Sequence, residues 1–134
     1  DIQLSLCQTL KICGAVVVST PQEISLLDVR KAINMFKKVN VPILGTIQNM
    51  SFLEHNKKKS YLFGKDGVIK ESKKLKLNFL AEIPIFHEIS ESCDTGIPLT
   101  SMKNSCVNEI FKKITEKLLK SIEDNKNSDI QINN

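Results

Sequence analysis

The sequence has no tryptophan, one tyrosine and a single arginine, Arg30, among its 134 residues. Proteins that read nucleic-acid sequence rely on arginine forks and on rings that stack on bases. Aromatics make up 5% of the chain and are not interleaved with a basic patch, so no nucleic-acid partner is expected. Long apolar runs are missing too. The longest, Ala15-Val16-Val17-Val18, falls far short of the roughly 20 residues a membrane-spanning helix needs, so no stable membrane insertion is expected. The start, Asp1-Ile2-Gln3-Leu4, has no initiator methionine and no basic, then apolar, signal-peptide pattern. The expectation is a fragment whose beginning lies upstream, although a processed chain would look the same.

Two further absences bear on chemistry. Cys7, Cys13, Cys93 and Cys106 form no Cys-x-x-Cys pair, and they read as buried free thiols in a reducing compartment. His55 and His87, the only histidines, have no metal-ligand spacing to each other or to a cysteine. No metal residue is assigned. The phosphate-cradling pattern Gly-x-x-x-x-Gly-Lys-Ser/Thr is also absent. Gly64-Lys65-Asp66-Gly67 has neither the spacing nor the hydroxyl. No catalytic set emerges.

What is present is an ordinary globular composition, 41% hydrophobic and 25% charged, with a net charge of +4 supplied mostly by lysine. One compact domain is expected over residues 1–122, and a polar, disordered tail over 123–134. Residues 2–10 have a helical period. Residues 15–19 are small and β-branched without alternation, which predicts a strand covered on both faces, as in a parallel sheet. Thr20-Pro21-Gln22-Glu23 suggests a capping box opening a helix to about Lys38, whose apolar positions Ile24, Leu27, Val29, Ile33 and Phe36 roughly follow a helical period. Asn40-Val41-Pro42 stops it, and residues 43–47 form the next strand. Strand, helix and strand make a right-handed βαβ unit. Residues 51–66 are irregular and fit a hairpin or excursion. A short helix over 67–75, a strand over 79–83, one or two helical turns over 88–93 and a turn over 94–98 follow. A last helix is expected from about Ser101 to Ile122, with Val107, Ile110, Phe111, Ile114, Leu118 and Ile122 on one face. That face suits docking on a core, and its lysines also fit an interfacial membrane helix. The fold class is α/β, a mostly parallel sheet with flanking helices.

Open parallel sheets bind ligands beyond the carboxyl ends of their strands. Three segments end strands here: Ser19-Thr20-Pro21, Gln48-Asn49-Met50 and Ile83-Pro84-Ile85. Asn49 has the chemistry to read a base, because an amide offers a donor and an acceptor side by side. An asparagine after a strand is also an ordinary turn residue. Lys57-Lys58-Lys59 reads most simply as a solvated loop tip.

Taken in order, several stretches resemble the Mrp/ApbC family of MinD/ParA-like P-loop ATPases, the iron–sulfur cluster carriers. They are Gly14–Glu23, Leu27-Asp28-Val29-Arg30-Lys31, Val41–Gly45, Gln48-Asn49-Met50-Ser51, Phe63–Gly67, Phe79–Pro84 and Ser92–Pro98. The resemblance implies the C-terminal half of a P-loop NTPase domain, with the P-loop upstream. It implies ATP binding and hydrolysis, with magnesium in the full-length protein, by a homodimer that passes clusters to iron–sulfur apoproteins. This chain alone would not be an ATPase. The resemblance also implies that Asn49 contacts adenine and that Pro84, Ile85 and Phe86 line the other side of the base. The compartment would be the bacterial cytoplasm or the mitochondrial matrix. One departure stands out. Many members carry Cys-x-x-Cys between the Asn-Met-Ser and Phe-Gly stretches, where a 4Fe-4S cluster is bridged. Here residues 52–62 contain no cysteine. Two other readings are a non-catalytic interaction module and a MinD-like membrane-associated ATPase.

Overall fold

The computed structural model describes residues 2–101 and 106–132. Helix α1 (Ile2–Thr9) leads into strand β1 (Ala15–Ser19), helix α2 (Glu23–Lys38) and strand β2 (Ile43–Gln48). A hairpin of β3 (Leu53–His55) and β4 (Lys58–Ser60) follows, then α3 (Gly67–Leu75), β5 (Phe79–Glu82) and α4 (His87–Thr95). A 3-10 turn (Leu99–Ser101) and the long helix α5 (Cys106–Ile132) complete the described chain.

The main sheet has the order β1-β2-β5 and is parallel throughout, as the βαβ reading predicts. In a parallel sheet every strand ends on the same side, so the three strand-end segments meet along one rim. Apolar side chains cover both faces, which explains why the strands do not alternate. On one face Val17, Leu26, Val29, Ile33 and Val68 form a core under α2 and α3. On the other, Ile47, Leu80, Ile83 and Ile114 form a second core, with Ile110, Phe111 and Leu118 of α5 packed against it. The aliphatic face of α5 therefore docks on the sheet, and Lys117 donates from Nζ to the Leu80 carbonyl at 2.7 Å.

Several expectations need correction. Thr20 does not open α2. Leu26 N–H donates to the Gln22 carbonyl, so the helical ladder starts at Gln22, and the Thr20 hydroxyl lies 2.8 Å from that of Ser25 instead. The inward stripe of α2 is Leu26, Val29, Ile33 and Phe36, a spacing of three and four residues. Ile24 and Leu27, counted in the rough helical period, are 74% and 49% exposed because they lie one helical step off that stripe. Helix α4 extends through Thr95 into the expected turn and stops at Gly96, whose φ of 71° is costly for any residue with a Cβ. Residues 123–132, expected as a disordered tail, continue α5. No glycine or proline follows Pro98 to break it. The expected helix start near Ser101 runs into residues 102–105, outside the described residues. The thiols are not buried. Cys13, Cys93 and Cys106 are exposed and Cys7 is half-buried, because α1 and α4 are surface helices without a buried residue.

Candidate functional site

The rim is held together by backbone bonds between its three segments. Asn49 N–H donates to the Ser19 carbonyl at 2.8 Å, tying the end of β2 to the end of β1. Ser51 N–H donates to the Ile83 carbonyl at 2.9 Å, and Ile85 N–H to the Phe52 carbonyl at 2.8 Å. Gly67 closes the far side. A Cβ there would sit 2.1 Å from the Pro21 carbonyl oxygen, so the backbone of α3 abuts the strand-end loop of β1 directly.

An open groove of about 430 Å³ lies at the β1 end of this rim. Its walls come from Val17–Thr20, from Ser25, Asp28, Val29 and Ala32 of α2, and from Asn49. The Asn49 Oδ1 accepts from Met50 N–H at 2.9 Å, which pins the side chain to its own turn. Met50 adopts a left-handed conformation at φ 51°, so the turn is sharp. A carbonyl oxygen has two lone pairs, so Oδ1 can accept once more while the amide group donates. Pro84, Ile85 and Phe86 are half-buried on the same rim but do not line this groove. They follow β5, and Phe86 is the residue from which α4 starts. The structure thus brings Asn49 and residues 84–86 to one rim through the Ser51–Ile83 and Phe52–Ile85 bonds.

Under the rim lies a polar network that the sequence reading missed. Gln48, the last residue of β2, is fully buried. Its Oε1 accepts from Val68 N–H at 3.0 Å, and its Nε2 donates to Ser51 Oγ at 2.7 Å. Ser51 Oγ donates in turn to Glu82 Oε2 at 2.7 Å. The available signal was a glutamine closing a strand whose other side chains are apolar or small. Beside it, Arg30 clamps α2 to α3 with a two-pronged contact to Glu71, Nε to Oε1 at 2.7 Å and Nη2 to Oε2 at 2.8 Å. The hydrogen bonds from Arg30 hold the buried Glu71 carboxyl below the usual carboxylate range, against desolvation. The same bonds, donated by Arg30 to the Glu71 and Glu23 carboxylates, push the guanidinium pKa up.

The hairpin between Ser51 and α3 is exposed along both strands. Asn56 and Lys57 both take positive φ, 49° and 61°, as a two-residue hairpin turn requires. At its base the Lys59 ammonium sits 3.9 Å from the centroid of the Phe52 ring, with Tyr61 edge-on to the same ring. Among the described residues no group of three or more His, Cys, Asp and Glu side chains could hold a metal ion.

The family profile described as "ParA: NUBPL iron-transfer P-loop NTPase" matches residues 1–119. The chain belongs to this family. Among its relatives, the "Iron-sulfur cluster transfer protein NUBPL" of Dictyostelium discoideum is 40% identical over 126 residues, 92% of this chain and 39% of that protein. The "Iron-sulfur cluster carrier protein" of Aquifex aeolicus is 40% identical across 92% of this chain and 35% of its own length. A nucleotide-binding protein from Archaeoglobus fulgidus, solved in complex with ADP, superimposes with a TM-score of 0.61 at 37% identity, covering 69% of this chain and 39% of that one. The chain thus spans about two fifths of the length of such relatives. No helix among the described residues is long and apolar enough to cross a membrane.

Proposed function

We propose that this chain supplies the base-binding half of an ATP-driven iron–sulfur cluster carrier. The observation that carries the reading is the strand-end rim, with Asn49 pinned at a groove and the segment 84–86 bonded to the same turn. Asn49 would read the edge of adenine, and Pro84, Ile85 and Phe86 would cover the base from the β5 side. The residues present fit the base end of a nucleotide. They do not fit its phosphates, for which the sequence offers no glycine-rich cradle. The phosphate-binding loop and the magnesium site belong to the remainder of the domain, which would extend the sheet beyond β1. The strand is prepared for this, with Val18 54% exposed and apolar pockets beside β1 and along α1.

In the complete protein, hydrolysis in a homodimer would drive loading or release of a cluster to apoproteins in the mitochondrial matrix or a bacterial cytoplasm. The cluster is cargo. Residues 52–62 contain no thiol, so its ligands would come from other cysteines, any outside this sequence included. Support comes from family membership and from relatives named as cluster carriers. The test is anaerobic reconstitution of the full-length protein, with iron and sulfide counts, visible absorption and ATP-dependent transfer to an apoprotein. Cluster uptake and transfer are expected. An active ATPase that takes up no cluster would overturn the carrier reading and leave a nucleotide switch with another cargo.

A further inference from the structure

Burying an amide is costly unless both of its ends are paired. Gln48 is fully buried at the end of β2, and each end has one protein partner. The bonds run in one direction. Val68 N–H donates to Gln48, Gln48 donates to Ser51, and Ser51 donates to Glu82. The Ser51 hydroxyl has a single proton and gives it to the Glu82 carboxylate, which accepts it. Gln48 therefore meets a lone pair at Ser51 and must present its nitrogen there. That fixes its oxygen toward Val68, in the first turn of α3, where helical N–H groups lack partners within the helix.

Gln48 and Ser51 bracket the two residues that form the turn, Asn49 and Met50. The chain of bonds thus clamps the Asn49 turn from beneath, to α3 on one side and to the end of β5 on the other. Resting on the adenine reading above, we infer that Gln48 is a positioning residue for base recognition. It holds Asn49 in register with the 84–86 segment, and Ser51 and Glu82 complete the clamp. A merely structural glutamine would lower stability without touching the choice of base. A positioning one sets that choice.

The experiment compares ADP and GDP binding to the full-length protein by calorimetry. The two ligands share ribose and diphosphate, so the ratio of their affinities isolates the base. Gln48→Met, Ser51→Ala, Glu82→Ala and Glu82→Gln are measured beside the wild type and Asn49→Ala, with circular dichroism to check folding. The wild type is expected to prefer ADP. Gln48→Met, Ser51→Ala and Glu82→Ala are each expected to lower the preference about tenfold, the worth of one well-placed hydrogen bond, with GDP affinity kept. Glu82→Gln should keep it, because an amide oxygen still accepts from Ser51. If Gln48→Met fails to fold, Ser51→Ala and the half-buried Glu82 variants decide alone. Folded variants that keep the wild-type ratio, while Asn49→Ala loses it, would overturn the inference and spare the adenine reading. A wild type that binds ADP and GDP equally would overturn both.

Discussion

Over β2 and β5 the sheet is covered on both faces, by α3 on one and by α5 on the other, whereas β1 is covered by α2 on one face only and carries Val18 outward on the other. Val16 and Val17 pack inward, yet Val18 is 54% exposed, and Ile2 and Leu6 of α1 and Leu10 just beyond it face outward as well. Both sides have the composition of an interior. The difference shows that apolar sequence marks where burial is needed, and that only a neighbouring element supplies it. Stability of the described chain should therefore be concentrated at β2, β5 and their helices. The β1 margin should matter for what it joins.

The strongest way to break this comparison is to cut a cavity in the covered half. Leu80 of β5 is 2% exposed in the core under α5. Leu80→Ala should cost about 3 kcal/mol, the usual toll of truncating a fully buried aliphatic side chain. Urea unfolding followed by circular dichroism measures it. A cost near that of a surface substitution would mean that the covered half is not where the stability lies.

A smaller effect is expected at the clamp between α2 and α3. The folded-state pKa of Glu71 lies below its ordinary 4.5, so its contribution is fully present above that value and is lost as pH falls through the depressed one. Thermal unfolding between about pH 6 and pH 3 should show a stability gap between wild type and Glu71→Gln that narrows on acidification. Arg30 stays charged throughout this window and contributes nothing to the slope. A gap that stays constant down to the lowest pH would show that Arg30 and Glu71 are not paired as charges.

How legible these features were follows from their periods. The parallel strands, the βαβ order and the docking face of α5 are written in runs and stripes that only one arrangement buries, and they appear as expected. The phase of α2 is not written so plainly. Leu26 and Leu27 are chemically identical neighbours, and which one turns inward depends on where the helix starts. The capping box at Thr20 suggested the wrong start because Ser25 takes the Thr20 hydroxyl. Asn49 was found as a strand-end amide. Gln48, Ser51 and Glu82 were not, because the partners that complete the network are distant: Val68 lies 20 residues from Gln48 and Glu82 lies 31 from Ser51, and no local pattern links them. The hairpin lay within the expected excursion, but its turn, Asn56-Lys57, lacks the glycine that normally announces one.

The smallest expected effect sharpens the comparison most. Val18→Lys places a charge on the β1 margin, beside the groove that holds Asn49. In the isolated chain the side chain reaches water already, so the change should stay within about 0.5 kcal/mol, as surface substitutions usually do. If the rest of a nucleotide-binding domain packs on that margin, the same lysine in the full-length protein would be buried without a partner and would strongly destabilise it. Denaturant unfolding of Val18→Lys in both contexts therefore gives two numbers whose difference reports the covering of β1. Equal and small costs in both would mean that the margin stays open in the complete protein, and that the sheet is extended elsewhere. A large cost in the isolated chain would mean that Val18 is already covered, and the contrast between the two sides would disappear.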